Sequence, residues 1–139
     1  MMIAAIDDDR NFTETLGEML KNAIAISDIV YRSFSSADDC FRFVEENDVT
    51  LVFLNKDIGN DPLGMQIVHH HLRQLSSHID IILVGSDQRL DSDTAIWSIQ
   101  NRCSDYLCKP VTYEKLISSL QNIWFNPIPE YTEQLLTTH

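Results

Sequence analysis

Leu51-Val52-Phe53-Leu54-Asn55 is an apolar run that stops on a polar side chain, and two other stretches are built the same way. Ile3-Ala4-Ala5-Ile6 stops on Asp7-Asp8-Asp9, and Asp105-Tyr106-Leu107-Cys108 stops on Lys109-Pro110. Short runs of branched and aromatic residues read as strands of a buried sheet. Proline cannot donate to a ladder, so Pro110 ends the last of them. Two further strands read from Ile29-Val30-Tyr31, the weaker, and Ile79 to Val84, interrupted only by Asp80.

Between the strands apolar residues recur at helical spacing. Phe12, Leu16, Met19, Leu20 and Ala23 give a first helix. Ala37, Cys40, Phe41 and Val44 give a second, with Ser35 or Ser36 as its cap. Met65, Val68, Leu72 and Leu75 line a third, after a loop from Lys56 to Leu63 rich in turn-formers. A short fourth helix surrounds Ala95, Ile96 and Ile99, and Tyr113, Leu116, Ile117, Leu120, Ile123 and Trp124 line a fifth. Five strands alternating with five helices predict an α/β fold with a parallel sheet covered on both faces. In such sheets the working site lies at the carboxyl ends of the strands, by the topological switch point. The acidic cluster, Asn55 and Lys109 all fall at such ends.

The chain has 139 residues, 44% of them hydrophobic, enough for one domain with a proper core. Its net charge of −11 argues against sequence-independent binding to nucleic acid and against anionic membrane surfaces. No stretch has the length of a membrane span, and no basic region precedes an apolar one at the N-terminus. Cys40, Cys103 and Cys108 form no C-x-x-C pair and read as reduced thiols, so a cytoplasmic location is expected. The expected domain covers 1–125. Residues 126–139, opened by Asn126-Pro127-Ile128-Pro129, are expected to be a tail, a small docking helix or the stump of a linker.

Ile6-Asp7-Asp8-Asp9 and Asp105-Tyr106-Leu107-Cys108-Lys109-Pro110, at this separation and with alternating units between them, resemble the receiver domains of bacterial two-component response regulators. The resemblance implies the flavodoxin-like, CheY-like (βα)5 three-layer sandwich with strand order 2-1-3-4-5. It implies an aspartate ending the third strand that accepts a phosphoryl group, with Mg2+ held by Asp7 and Asp8 and the phosphoryl oxygens contacted by Lys109. It also implies a Thr or Ser ending the fourth strand, and an aromatic, here Tyr106, that turns inward on activation. Partners follow from the same likeness: a histidine kinase, an effector or another signalling protein. They would be met on the face of the fourth helix, fifth strand and fifth helix, with a homodimer through that face as one form.

Two positions depart from the pattern. Asn55 stands where the acceptor belongs, in a register that Gly64 supports, and Gly85 stands at the Thr/Ser position with Ser86 one residue late. A carboxamide is a poor nucleophile without charge, and hard cations prefer carboxylate oxygen. The expectation is a degenerate receiver, not an enzyme, whose signalling does not depend on phosphorylation, with any Mg2+ site vestigial. The alternative is a working phospho-receiver that uses Asp57, or one in which Asn55 replaces a natural aspartate.

Plainer readings stand beside these. Asp7, Asp8 and Asp9 also suit a helix start, where carboxylates favour the dipole. Lys109 could be a solvated lysine before a proline; in a degenerate site it would salt-bridge Asp8. Tyr106 reads equally as a switch or as packing. In His69-His70-His71 only His71 is expected to face inward, so the tract reads as a solvated helix surface rather than a ligand set. Cys103 and Cys108 read as packed, and Trp97 and Trp124 as partly exposed. A flavodoxin-like cofactor binder would share the fold, but three aspartates after the first strand would repel a cofactor phosphate.

Overall fold

The computed structural model describes residues 1–24, 29–60 and 62–124. The tail expected at 126–139, and Asp61 of the turn-rich loop, lie outside the described residues. The elements run β1 (Met2–Ile6), α1 (Arg10–Ala23), β2 (Val30–Phe34), α2 (Ala37–Glu46), β3 (Val49–Asn55), a 3-10 turn (Ile58–Asn60), α3 (Pro62–Leu75), β4 (Asp80–Gly85), α4 (Ser92–Gln100), β5 (Asp105–Cys108) and α5 (Tyr113–Trp124). All strand pairs are parallel, in the order β2-β1-β3-β4-β5. This is the flavodoxin-like, CheY-like arrangement expected.

Side-chain alternation along the three central strands makes two cores. Ile3, Ala5, Leu51, Phe53, Ile82 and Val84 pack against Leu16 and Leu20 of α1 and Leu116 and Leu120 of α5. Ala4, Ile6, Val52, Leu54, Ile81 and Leu83 face the other way, onto Cys40 and Val44 of α2 and Met65, Val68 and Leu72 of α3. Each Val, Leu, Ile, Phe or Met side chain among them contributes about 1.5–3 kcal/mol of burial, so the central strands are the most firmly held part of the molecule. The edge strand β2 is only half-buried or exposed, and it begins at Val30 rather than Ile29. α4 covers the sheet thinly: Trp97 packs on the second core, while Ile96 and Ile99 stay 55% and 78% exposed.

One local expectation is corrected and two are refined. Ser36 holds the cap position of α2 without a side-chain cap hydrogen bond. His69, not His71, is the inward histidine, at 3% exposure and edge-on to Trp97 with ring centroids 4.9 Å apart. It lies four residues after Met65 and three before Leu72, on the buried stripe. His71 is half-buried and lies against Phe41 of α2. β4 opens at Asp80, one residue after Ile79, and closes at Gly85, where the resemblance put the strand's end. No helix among the described residues is long and apolar enough to cross a membrane.

Candidate functional site

The chain reverses direction of build between β1 and β3, and a cleft of about 420 Å3 opens beyond their carboxyl ends. Asp8, Asp9, Asn55, Asp57, Ser86 and Lys109 line it, with Ser35 and the Ile58–Asn60 turn. Of the sequence-predicted residues, Asp8, Asn55, Asp57, Ser86 and Lys109 are therefore brought together, while Gly85 and Tyr106 do not line the cleft. Asp7 lies beside them at the end of β1, 5% exposed.

Asp7 Oδ1 accepts from the Asp9 N–H at 3.0 Å and from Asn55 Nδ2 at 3.5 Å. Asn55 Oδ1 accepts from the Asp57 N–H at 3.0 Å. An N–H can only donate, so this second bond fixes the amide orientation and turns the NH2 toward Asp7. A carboxylate at position 55 could not make that contact; two carboxylates facing each other would need a cation between them.

Asp7 Oδ2 is 2.8 Å from Lys109 Nζ. The approach is close enough for strong charge attraction but lacks hydrogen-bond angles, so Oδ2 is buried with a counter-charge and no donor. Lys109 Nζ also lies 3.5 Å from Asp9 Oδ2 and 4.6 Å from the centroid of the Phe12 ring. The expected bridge from Lys109 to Asp8 is thus corrected: Asp8 is exposed, and the lysine turns to the buried carboxylate, whose charge has lost its water. Asp9 caps α1, its Oδ1 accepting from the Phe12 N–H at 3.1 Å. That N–H foremost, then slight burial in opposition, then Lys109, hold its carboxyl below the usual value.

Next to this group lies a second one that sequence reasoning missed. Lys56 follows β3, and its side chain is 11% exposed. Its Nζ is 3.0 Å from Asp57 Oδ1 and 2.7 Å from Asp87 Oδ2. Burial alone would lower its pKa; the hydrogen bonds to Asp87 and Asp57 overcome that and hold the ammonium above its ordinary value. Asp57 sits in the turn after β3, its carboxylate engaged with Lys56 and exposed. Gly85 ends β4 beneath the Lys56 chain, and Ser86 follows on the cleft wall, exposed. Tyr106, half-buried on β5, donates its hydroxyl hydrogen bond to the Asp87 carbonyl and packs its ring against the second core. A lysine directly after a buried strand, with a glycine closing the neighbouring strand, was the available signal for this group.

The donor set can be tested against the Mg2+ that the resemblance implies. Asp7 and Asp8 offer carboxylate oxygen, but position 55 offers only a neutral carbonyl oxygen that already accepts from Asp57. Lys109 stands 2.8 Å from Asp7, where a divalent ion would be repelled by the ammonium. Hard cations favour several charged oxygens, so the residues as arranged do not fit Mg2+.

A model of the response regulator receiver domain matches residues 3–121. No curated protein sequence matches the chain. Among solved structures, a response regulator receiver protein from Pseudoalteromonas atlantica is similar at 18% identity and TM-score 0.72, over 92% of this chain and 100% of that one. A receiver domain protein from Clostridium thermocellum matches at 20% identity and TM-score 0.70, over 87% and 91%. A CheY-like receiver domain protein from Methanospirillum hungatei matches at 14% identity and TM-score 0.71, over 88% and 91%. At these identities the structures speak for the fold, while the family model spans most of the chain. With the acidic pair, the strand-five ending and the sheet order agreeing with it, the chain belongs to the response regulator receiver domain family of two-component signalling.

Proposed function

We propose that this receiver domain signals by protein contact, in the cytoplasm and without an aspartyl phosphorylation cycle. One observation carries the reading: the Asn55 amide bonds Asp7 directly on one side and the Asp57 N–H on the other. The position that would hold the nucleophile is thus neutral and already satisfied. The Lys109 ammonium balances the Asp7 charge at 2.8 Å, which supports a vestigial Mg2+ site in a family that takes the ion at this pocket. No turnover chemistry is proposed for these residues.

The surface of α4, β5 and α5 is the proposed contact face, for a kinase, an effector or a second copy. Exposed Ile96 and Ile99 on α4 and Tyr113 on α5 support it, since apolar and aromatic residues are enriched at such interfaces. Asp57 favours a second reading because it lines the same cleft. Its carboxylate, however, lies beyond the strand and is engaged with Lys56.

The test is intact mass after incubation with Mg2+ and a small-molecule phosphodonor, beside Asn55→Asp and Asp57→Ala variants. The unmodified chain is expected to keep its mass. A phosphoryl group on that chain, lost again in Asp57→Ala, would replace this proposal with the second reading.

A further inference from the structure

Gly85 has no positive φ to explain it; what it lacks is room. A Cβ there would stand 2.5 Å from Lys56 Cε, 2.8 Å from Cδ and 2.9 Å from Cγ. The crowding runs along the length of the lysine chain, so moving its tip would not relieve it. The chain is also not free to swing aside, because its Nζ is held by Asp57 on one loop and Asp87 on another. Lys56 therefore fills the space that a side chain at position 85 would use, and the two residues fit as a pair.

Lys56 is also anchored through its backbone, its N–H donating to the Val84 carbonyl at 2.8 Å. The β3 end thus holds the β4 end by main chain, and the loop beyond β4 by side chain. Asp87 passes the connection on, since its carbonyl accepts from the Tyr106 hydroxyl. The Lys109 N–H meanwhile donates to the Gly85 carbonyl at 2.7 Å, which keeps β5 level with the same point.

We propose that Lys56, laid across Gly85 between Asp57 and Asp87, is a built-in tether that couples the β3–α3 loop to the β4–α4 loop and thence to Tyr106. The cleft is then linked to the β5 surface in the unmodified protein. The inference deepens the proposed function and takes its signalling meaning from it, but the tether itself is a physical claim about the untreated chain.

A double-mutant cycle and a spectrum test it, on the full chain and without phosphodonor. In the Lys56 background, Gly85→Ala is expected to lower the folding equilibrium constant about fivefold or more. Combined with Lys56→Ala, the same change is expected to cost less than about twofold, since a glycine in a strand is itself unfavourable. Equal losses in both backgrounds overturn the pairing. If Gly85→Ala does not fold alone, rescue by Lys56→Ala supports it and failure in both backgrounds overturns it.

Lys56→Met keeps the chain and removes the charge. Its 1H–15N spectrum is expected to shift the amides of Asp57, Asp87 and Tyr106. Resonances of Asp87 or Tyr106 that stay in place overturn the coupling. A chain that accepts phosphate would overturn the proposed function and leave these results untouched, so the two failures are distinguishable.

Discussion

On the β1–β5 side of the cleft Lys109 meets Asp7 at 2.8 Å, and on the β3–β4 side Lys56 meets Asp87 at 2.7 Å. The distances are nearly equal, yet the pairs differ in what surrounds them. The Asp7 side chain is 2% exposed, whereas Asp87 and Asp57 are 68% and 55% exposed. An ion pair's worth is set by how much water its members have lost and by what is stranded when one is removed. The first pair therefore belongs to the architecture of the sheet. In the second only the lysine is buried, at 11% exposure, so removing it strands no charge, which suits a link between loops that respond to a partner.

The largest effect that follows is on Lys109. Lys109→Met would leave the Asp7 charge buried with only the Asp9 N–H and the Asn55 amide as donors. We expect a loss of about 3 kcal/mol, read as a lower urea midpoint at unchanged slope. A loss below about 1 kcal/mol would break the comparison, because Asp7 would then be no more dependent on its lysine than a surface carboxylate.

An acid titration sharpens the contrast by separating the rim from the helix layer beneath it. Burial first, then the charges of Arg73 and His70, depress the His69 pKa from 6.5 to about 4. Above 6.5 the imidazole is neutral in both states and contributes no pH dependence. As pH falls toward 4, the unfolded chain takes up a proton that the folded one refuses, and stability drops by on the order of 2 kcal/mol. His69→Phe keeps an edge contact with Trp97 and is expected to flatten that slope, measured by urea unfolding at successive pH values. Asp9 acts with the same sign in a lower window: its depressed pKa gives stability that is present above the unfolded value of 3.8 and lost as pH falls through the folded one. A slope between pH 6.5 and 4 that survives His69→Phe would place the titrating group elsewhere.

The sheet was legible because a parallel sheet imposes two periods on the chain, apolar runs and helical stripes. Asp7, Asn55 and Lys109 were legible because they punctuate those runs. The partner of Lys109 was not. Asp7 and Asp8 are adjacent, and only the packing of β1 buries one and leaves the other in water. The histidine tract failed for a different reason: His69 and His71 both fall within helical reach of the apolar stripe, and the ring of Trp97 on another helix decides between them. Lys56 was least legible. Its partner Asp87 lies in a separate loop, and the contact depends on Gly85 standing next to the β3 end in the register Asn55↔Val84.

That register makes the smallest expected effect the most informative about the comparison. Lys56→Met removes both ion pairs while leaving the hydrocarbon chain over Gly85, so packing is kept and only charge is lost. The freed Asp57 and Asp87 carboxylates are already solvated and strand no buried charge. We expect a loss of no more than about 1 kcal/mol, and less at high salt, where exposed pairs are screened. The Lys109→Met loss should change little over the same salt range, because its partner is out of reach of the screening ions. If Lys56→Met instead proved as costly as Lys109→Met and equally indifferent to salt, the Lys56 group would have to be read as part of the sheet's architecture. If the two differ as expected, burial rather than distance separates a lysine that holds the fold from one that links its loops.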